Sequence, residues 1–358
     1  MHRLPDHLPI LDARLRRAPA PDRYVERELT EELDLCDARG RLAPGAVGWS
    51  RRPLVRANLR GHWLRKKKWN FWNWISPDFV LSVTLADLDY ASFCSAFFID
   101  FERGEQVDGM WLGRPRRFAM PERVASSVAF RFGDVDYVNS AVETGWRVRL
   151  RAPTRQGEAL GADLRVLEPA GQESLHVLVP WSPTRFQLNS KHATLPCGGA
   201  IEVGERRYTV DPARCHAVQD WGRGVWPRRS FWNWAVATGV QNGRRIGVNL
   251  GGKWTTGTGS NENGILLDGR LHKIMEDVRW EYDPADDASE WRVYSPHSRA
   301  VDLVLVPRFA HRSRTNLGLV SSGGVCSFGR FRGRVRVEDE DIEIEDLPGW
   351  AEEFAHRW

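Results

Sequence analysis

Lysine is scarce in this chain of 358 residues: six stand at 66, 67, 68, 191, 253 and 273, against 45 arginines. Such a bias accompanies a GC-rich genome as readily as a function, so it assigns no activity. Cysteine is sparse as well. Cys36, Cys94, Cys197, Cys215 and Cys326 are scattered, odd in number, and form no CxxC pair. That spacing excludes a disulfide framework or a structural zinc site and leaves reduced, packed thiols. Metal ligation is not expected, because His216 beside Cys215 has no second ligand pair at useful spacing. No cofactor is expected either. Long apolar runs are missing. None approaches the roughly 20 residues of a membrane helix, and the first residues lack the apolar core of a signal peptide. The expected location is therefore cytoplasmic.

Acidic residues are absent from 49–77, where Arg51, Arg52, Arg56, Arg60, Arg65, Lys66, Lys67 and Lys68 carry eight positive charges. The whole chain has a net charge of +4, so the remainder is slightly acidic. A concentrated patch says more about partners than the total does. Interleaved with Trp63, Trp69 and Trp72, the 51–68 segment suits an anionic head group or a membrane surface. Its plainer reading is a strand packed over a neighbour's acids. Nucleic acid is the least favoured partner.

Catalytic signatures are missing too. There is no GxSxG elbow and no HExxH. Residues 247–253 fit the first seven places of a phosphate-binding loop, but the eighth is Trp254 where Ser or Thr is needed. In 257–264 the third glycine falls two places late for a dinucleotide fingerprint.

What is present is strand pattern. Residues 78–89 alternate Phe79, Leu81, Val83 and Leu85 with mixed partners. Similar short runs recur at 93–101, 142–150, 162–167 and 175–181, then at 246–250, 264–271, 278–282, 301–306, 331–337 and 341–344. Asn242-Gly243 and Asp268-Gly269 supply hairpin turns. Short helices are expected near 24–33 and at the end, where Trp350, Phe354 and Trp358 recur every four residues.

Tryptophan is plentiful, 17 against 6 tyrosines. The tetrapeptide Phe71-Trp72-Asn73-Trp74 returns as Phe231-Trp232-Asn233-Trp234, 160 residues later and close to half the chain. Basic, Trp-containing lead-ins precede both copies. The repeat predicts two similar β units, 1–190 with a short N-terminal extension and 191–358, related by duplication. Antiparallel sheets of that size must close or sandwich to protect their edges. In a strand, Trp72 and Trp74 share one face while Phe71 and Asn73 share the other. Either the tryptophans fill a core, or Asn73 and Asn233 supply hydrogen bonds inside an apolar barrel cavity.

Further residues carry a resemblance. They are Leu35-Cys36-Asp37-Ala38-Arg39-Gly40-Arg41-Leu42, Gly48-Trp49-Ser50-Arg51-Arg52-Pro53-Leu54, Gly61-His62-Trp63 and Lys66-Lys67-Lys68-Trp69-Asn70. In the second half they are Asp220-Trp221-Gly222-Arg223-Gly224-Val225-Trp226-Pro227, Gly247-Val248-Asn249-Leu250-Gly251, Glu262-Asn263 and Arg357-Trp358. The chain resembles, over nearly its full length, the uncharacterised bacterial domain-of-unknown-function family 2804. More distantly, Asp-Trp-Gly followed by Trp-x-Trp is similar to lipocalin-like tandem-barrel proteins, a group that includes carotenoid hydratases and some cyclases. That resemblance implies an all-β fold of two tandem lipocalin-like antiparallel barrel or sandwich units. It also implies an acid beside tryptophan that protonates or orients an apolar substrate. The hydratase pattern has a histidine between the Asp and the Trp-Gly, whereas here Asp220 runs straight into Trp221.

The densest polar and aromatic stretch runs from His216 to Asn263. Asp220 is the first candidate acid and Glu262 the second, because a carboxyl desolvated among indoles has a raised pKa. Arg223 could instead hold Asp220 in a structural ion pair, and Glu262 could serve a turn. Trp221, Arg223, Trp226, Trp232, Asn233, Asn249, Lys253 and Asn73 are the candidate ligand contacts. Three functions follow: a hydratase, isomerase or cyclase acting on an apolar or amphipathic small molecule, a non-catalytic lipid or terpenoid carrier, or a scaffold docking through 51–68.

Overall fold

The computed structural model describes residues 23–114, 118–317 and 320–357. Most of the proposed N-terminal extension and the closing Trp358 lie outside them. Among the described residues there is no α-helix, only a 3-10 turn at Pro44–Ala46. The chain is all-β, built mainly as two curled antiparallel sheets, one a nearly closed barrel and the other a half-barrel, with a third, two-stranded parallel sheet near the N-terminus.

An N-terminal segment contributes the short strands β1 (Leu33–Asp34), β2 (Trp49–Ser50) and β3 (Val55–Arg56). Then β4 (Lys66–Ile75), β5 (Phe79–Asp87), β6 (Ser92–Asp100) and β7 (Glu105–Gly113) form a meander. The chain returns through β8 (Val128–Phe132), β9 (Val135–Val142), β10 (Gly145–Pro153), β11 (Ala159–Leu167), β12 (Leu175–Ser182), β13 (Arg185–Val203), β14 (Arg206–Val210) and β15 (His216–Val225). The order β7-β6-β5-β4-β15-β13-β11-β10-β9-β8 lays the last strand against the first.

The second sheet repeats this path. A meander of β16 (Arg229–Gln241), β17 (Arg244–Gly252), β18 (Gly264–Leu267) and β19 (Arg270–Lys273) comes first. A return follows through β20 (Arg279–Glu281), β21 (Trp291–Tyr294), β22 (Val301–Leu317), β23 (Val320–Val337) and β24 (Glu340–Arg357). Its order is β19-β18-β17-β16-β24-β23-β22-β21-β20, so β24 closes on β16 as β15 closes on β4. The chain passes from one sheet to the other at 226–228, whereas the expected division at 190/191 falls inside β13.

Both expected helices are strand or extended chain. Residues 24–33 run extended, with a bridge from Glu28 to Trp49. Trp350 and Phe354 lie in β24. A spacing of four is even, so it puts residues on one face of a strand as well as on one face of a helix.

Alternation along the strands builds three stacked cores, and a fourth cluster lies beneath the N-terminal segment. Trp72, Trp74, Leu81, Val83 and Phe98 fill the first sheet's interior, while Ala235, Val248, Leu250, Trp291 and Leu303 fill the second's. Between the sheets, Val80, Ile99, Val179, Trp234, Phe328 and Trp350 form a third. Fully burying one such aromatic side chain is worth on the order of 2–3 kcal/mol, so the inter-sheet layer is a true core.

The two copies of the tetrapeptide face opposite ways. Trp72 and Trp74 point into the first sheet's interior. Trp232 and Trp234 point out toward the inter-sheet layer, and Asn233 turns toward the second interior to bond Tyr282. A one-residue offset in a strand is enough to exchange its faces.

Candidate functional site

A cavity of about 280 Å³ opens between the two sheets. It lies outside both barrel interiors, where a lipocalin-like lumen was expected. The first sheet contributes its outward positions. In β4 these are Trp69 and Phe71, in β13 Asn189 and Lys191, and in β15 Asp220. The second sheet adds Trp232 and Trp234 from β16, Cys326 and Phe328 from β23, and Glu352, Phe354 and His356 from β24. Trp226 from the crossover and Trp254 and Glu262 from the β17–β18 loop complete one end.

The polar centre is an ion triad set by strand register. Lys191 lies opposite Asp220, and Asp220 lies opposite Phe71. Lys191 Nζ stands 3.1 Å from Asp220 Oδ2 and 3.1 Å from Glu262 Oε2. It also sits 3.8 Å from the centre of the Trp234 ring, a cation–π contact that strengthens where water is excluded. Burial pulls the Lys191 pKa down, but the charges of Asp220 and Glu262 outweigh it and hold the ammonium above its ordinary value. Burial raises the Glu262 pKa, with Lys191 opposing.

Indole N–H groups orient the carboxylates. Trp69 Nε1 donates to Asp220 Oδ2 at 3.1 Å, and Trp254 Nε1 donates to Glu262 Oε1 at 2.8 Å. Asp220 Oδ1 is buried with no hydrogen-bond partner among the described residues. Two glycines make room for this arrangement. A Cβ at Gly222 would overlap the Trp69 ring, and one at Gly251 would overlap the Glu262 carboxylate. A relay runs back along β13: Trp226 Nε1 donates to Gln187 Oε1, Gln187 Nε2 to Asn189 Oδ1, and Asn189 Nδ2 to Glu262 Oε2 at 3.4 Å.

A third carboxyl faces the same space. Glu352 lies opposite both Trp234 and Cys326 in the ladder. Burial pushes its pKa up to about 7, a shift only partly offset by the 2.8 Å hydrogen bond from Trp232 Nε1. A carboxyl at that value is half protonated at neutral pH, as a general acid must be.

Of the residues singled out in the sequence, Asp220, Glu262, Trp226 and Trp232 meet at this cavity. Asn249 stands behind it, accepting from Trp234 Nε1 at 2.8 Å and donating to the Glu262 carbonyl at 2.6 Å. Trp221 and Arg223 lie elsewhere. Trp221 is buried beneath the N-terminal segment, and Arg223 lies over its ring at 3.9 Å. The Arg223–Asp220 pair does not form. Three residues apart on a strand, the two point to opposite faces, and Arg223 instead binds the carbonyls of Pro121 and Trp69 and the Asn70 side chain. Lys253 and Asn233 join Tyr282 on the second sheet's inner side, where Lys253 also pairs with Glu353. Asn73 is fully buried between Val218 and Ser82 in the ladder.

Lys191 and Glu352 escaped the sequence reading. One signal was available for Lys191, the alternation Gln187, Asn189, Lys191, which puts three polar side chains on one strand face. In the basic segment, Arg51 pairs with Glu28 and Glu173, Arg56 with Asp34, Lys66 with Asp89 and Lys68 with Asp87.

The chain belongs to the family described as domain of unknown function DUF2804, whose model matches residues 26–358. No curated protein matches it. Among solved structures it is similar to kievitone hydratase from Nectria haematococca, at 11% identity and a TM-score of 0.45, covering 82% of this chain and 89% of that one. A candidate AttH of Nitrosomonas europaea gives 12% identity and a TM-score of 0.42, with 82% and 92% covered. CghA with Sch210972 gives 10% identity and 0.41, with 82% and 89% covered.

Proposed function

We propose that the inter-sheet cavity binds an apolar or amphipathic small molecule and moves a proton on or off it, in a reaction of hydratase, isomerase or cyclase type. The observation that carries this reading is a pair of carboxyl groups with different environments in one aromatic cavity. Glu352, with its pKa near 7, supplies the proton. Asp220 is held by Lys191 and Trp69 through one oxygen, which leaves Oδ1 free to accept. A carboxyl desolvated by burial and a carboxylate paired with a lysine ammonium can serve as acid and base on one ligand. The indoles around them exclude water and present π faces to a developing cation.

The test is solvent deuterium exchange. Apolar unsaturated compounds recovered from cell extract are bound in D2O and followed by mass spectrometry. Wild type is expected to incorporate carbon-bound deuterium into the ligand, which solvent exchange at hydroxyl groups cannot supply. Asp220→Asn and Glu352→Gln are expected to abolish this while keeping tryptophan quenching by ligand and a Tm within a few degrees of wild type. Quenching with no exchange in wild type would make the protein a carrier and overturn the catalytic reading.

A further inference from the structure

The cavity is polar at both ends and mainly aromatic between them. Resting on the binding reading above, its wall gives the shape of the molecule it takes. Three rows of side chains cross β16, β24 and β23 on the cavity face. The first is Trp234, Glu352 and Cys326. Trp232, Phe354 and Gly324 form the second, and Ser230, His356 and Ser322 the third. Successive rows are two residues apart, about 7 Å, so the first and third are separated by about 13 Å.

The first row lies at the buried end, where Lys191 covers Trp234 and the carboxyl groups gather. The middle row is a stacked pair, with Trp232 and Phe354 ring centres 5.7 Å apart. At the third row His356 Nε2 and Ser322 Oγ are 2.8 Å apart, and both line the cavity. Ser322, Trp232, Phe354 and His356 are half-buried, whereas Lys191, Asp220, Glu262 and Glu352 are buried. The Ser322 and His356 side of the third row is therefore the outer end, while Ser230 of the same row is buried. Desolvation pushes the His356 pKa down to about 3, so this end offers a neutral imidazole and a hydroxyl. Ser313, opposite Gly324, belongs to the middle row and adds one hydroxyl there. A hydroxyl paired with a neutral imidazole both donates and accepts. It matches an alcohol or a carbonyl and gives a carboxylate no opposite charge.

We propose that the ligand is an elongated apolar molecule with an uncharged oxygen function at its outer end, about 13 Å from the group that reacts beside Glu352, and that Ser322 and His356 recognise that oxygen. Length is then selected together with polarity. A shorter molecule leaves one polar end unmet, and a longer one must carry its oxygen past Ser322.

The probes are 1,6-hexanediol, 1,8-octanediol, 1,10-decanediol and 1,12-dodecanediol, titrated against the tryptophan fluorescence of the full chain. Wild-type affinity is expected to peak at the octane or decane diol, because the hexane diol falls short of the span and the dodecane diol carries its oxygen past Ser322. Ser322→Ala is expected to weaken binding of the best diol by about fivefold, the worth of one hydrogen bond, and to erase the peak, so that affinity simply climbs with chain length. His356→Phe, which keeps the ring and removes the nitrogens, should do the same and guards against a fold defect in one variant. A monotonic climb in wild type, unchanged by either variant, would overturn the length-and-oxygen selection while leaving the cavity as a binding site. If no diol perturbs the fluorescence at all, this inference and the binding reading beneath it fall together.

Discussion

Glu352 shows how burial alone can prepare a side chain for acid chemistry. Among the described residues no cation stands as close to it as Lys191 does to Asp220 and Glu262, and its donors are the Trp232 indole N–H and the Cys326 thiol. With its pKa raised from an ordinary 4.5 to about 7, the folded protein holds a proton that the unfolded chain has already released. The sign follows from that difference. The favourable contribution is full below pH 4.5 and is lost as pH rises through 7. A shift of this size corresponds to about 3 kcal/mol. Glu352→Gln keeps an oxygen for Trp232 and has no charge to bury. The variant is therefore expected to gain on wild type by about that amount between pH 4.5 and pH 8. Urea unfolding of both proteins at the two pH values checks it. An equal difference at both would show that the carboxyl is not desolvated.

At the scale of the element, the strand decides which chemistry can meet. β15 puts Asp220, Gly222 and Gly224 on the cavity side and Trp221 and Arg223 on the other. The linear motif Asp-Trp-Gly-Arg therefore cannot act as one cluster. Gly222 is the spacer that lets Trp69 lie flat and reach Asp220. Gly222→Ala is expected to cost about 1–3 kcal/mol by overpacking. In a Trp69→Leu background the same change should cost markedly less, since the obstructing ring is gone. Equal costs in both backgrounds, read from Tm, would show that Trp69 is not what Gly222 accommodates.

The strands themselves were legible in the sequence, because period-2 alternation is a local signal. The facing of the repeat was not. Phe-Trp-Asn-Trp reads alike at 71 and 231, yet the two copies turn opposite faces to the cavity. Nothing local distinguishes a strand shifted by one residue. Asp220 and Glu262 were legible as acids among indoles. Their partner Lys191 was not, because it comes from β13, some 30 residues before Asp220, and only the sheet order brings them side by side.

At the scale of the whole molecule, three cores share the same strands. β4 faces the first interior with Trp72 and Trp74 and the inter-sheet layer with Phe71, while β16 faces that layer with Trp234 and the second interior with Ala235. Loosening either sheet therefore opens the layer between them, and the fold is expected to fail as one unit. Buried histidines supply the trigger. Desolvation lowers the pKa of His192 and of His216 to about 4 and that of His356 to about 3. His192 packs on Trp146 in the first barrel, and His356 packs on Trp232 beside the cavity. Both ring nitrogens of His192 and of His216 are buried without a hydrogen-bond partner among the described residues.

For these groups the sign is opposite to that of Glu352. The unfolded chain binds their protons near pH 6.5 and the folded one refuses them until about 4. Their stabilisation is complete above 6.5 and is lost as pH falls toward 4. Each is worth about 3 kcal/mol over that window, and three together rival the whole stability of an ordinary domain. Glu352 recovers only about one such increment in the same direction of titration. The chain is therefore expected to lose its near-ultraviolet circular dichroism in one step between pH 6 and pH 4. The double variant His192→Gln, His216→Gln keeps polar side chains that cannot charge, and should carry the acid midpoint lower by about half a unit or more. Unchanged midpoints would mean that the histidines are solvated. Two separated steps would mean that the inter-sheet layer does not couple the barrels.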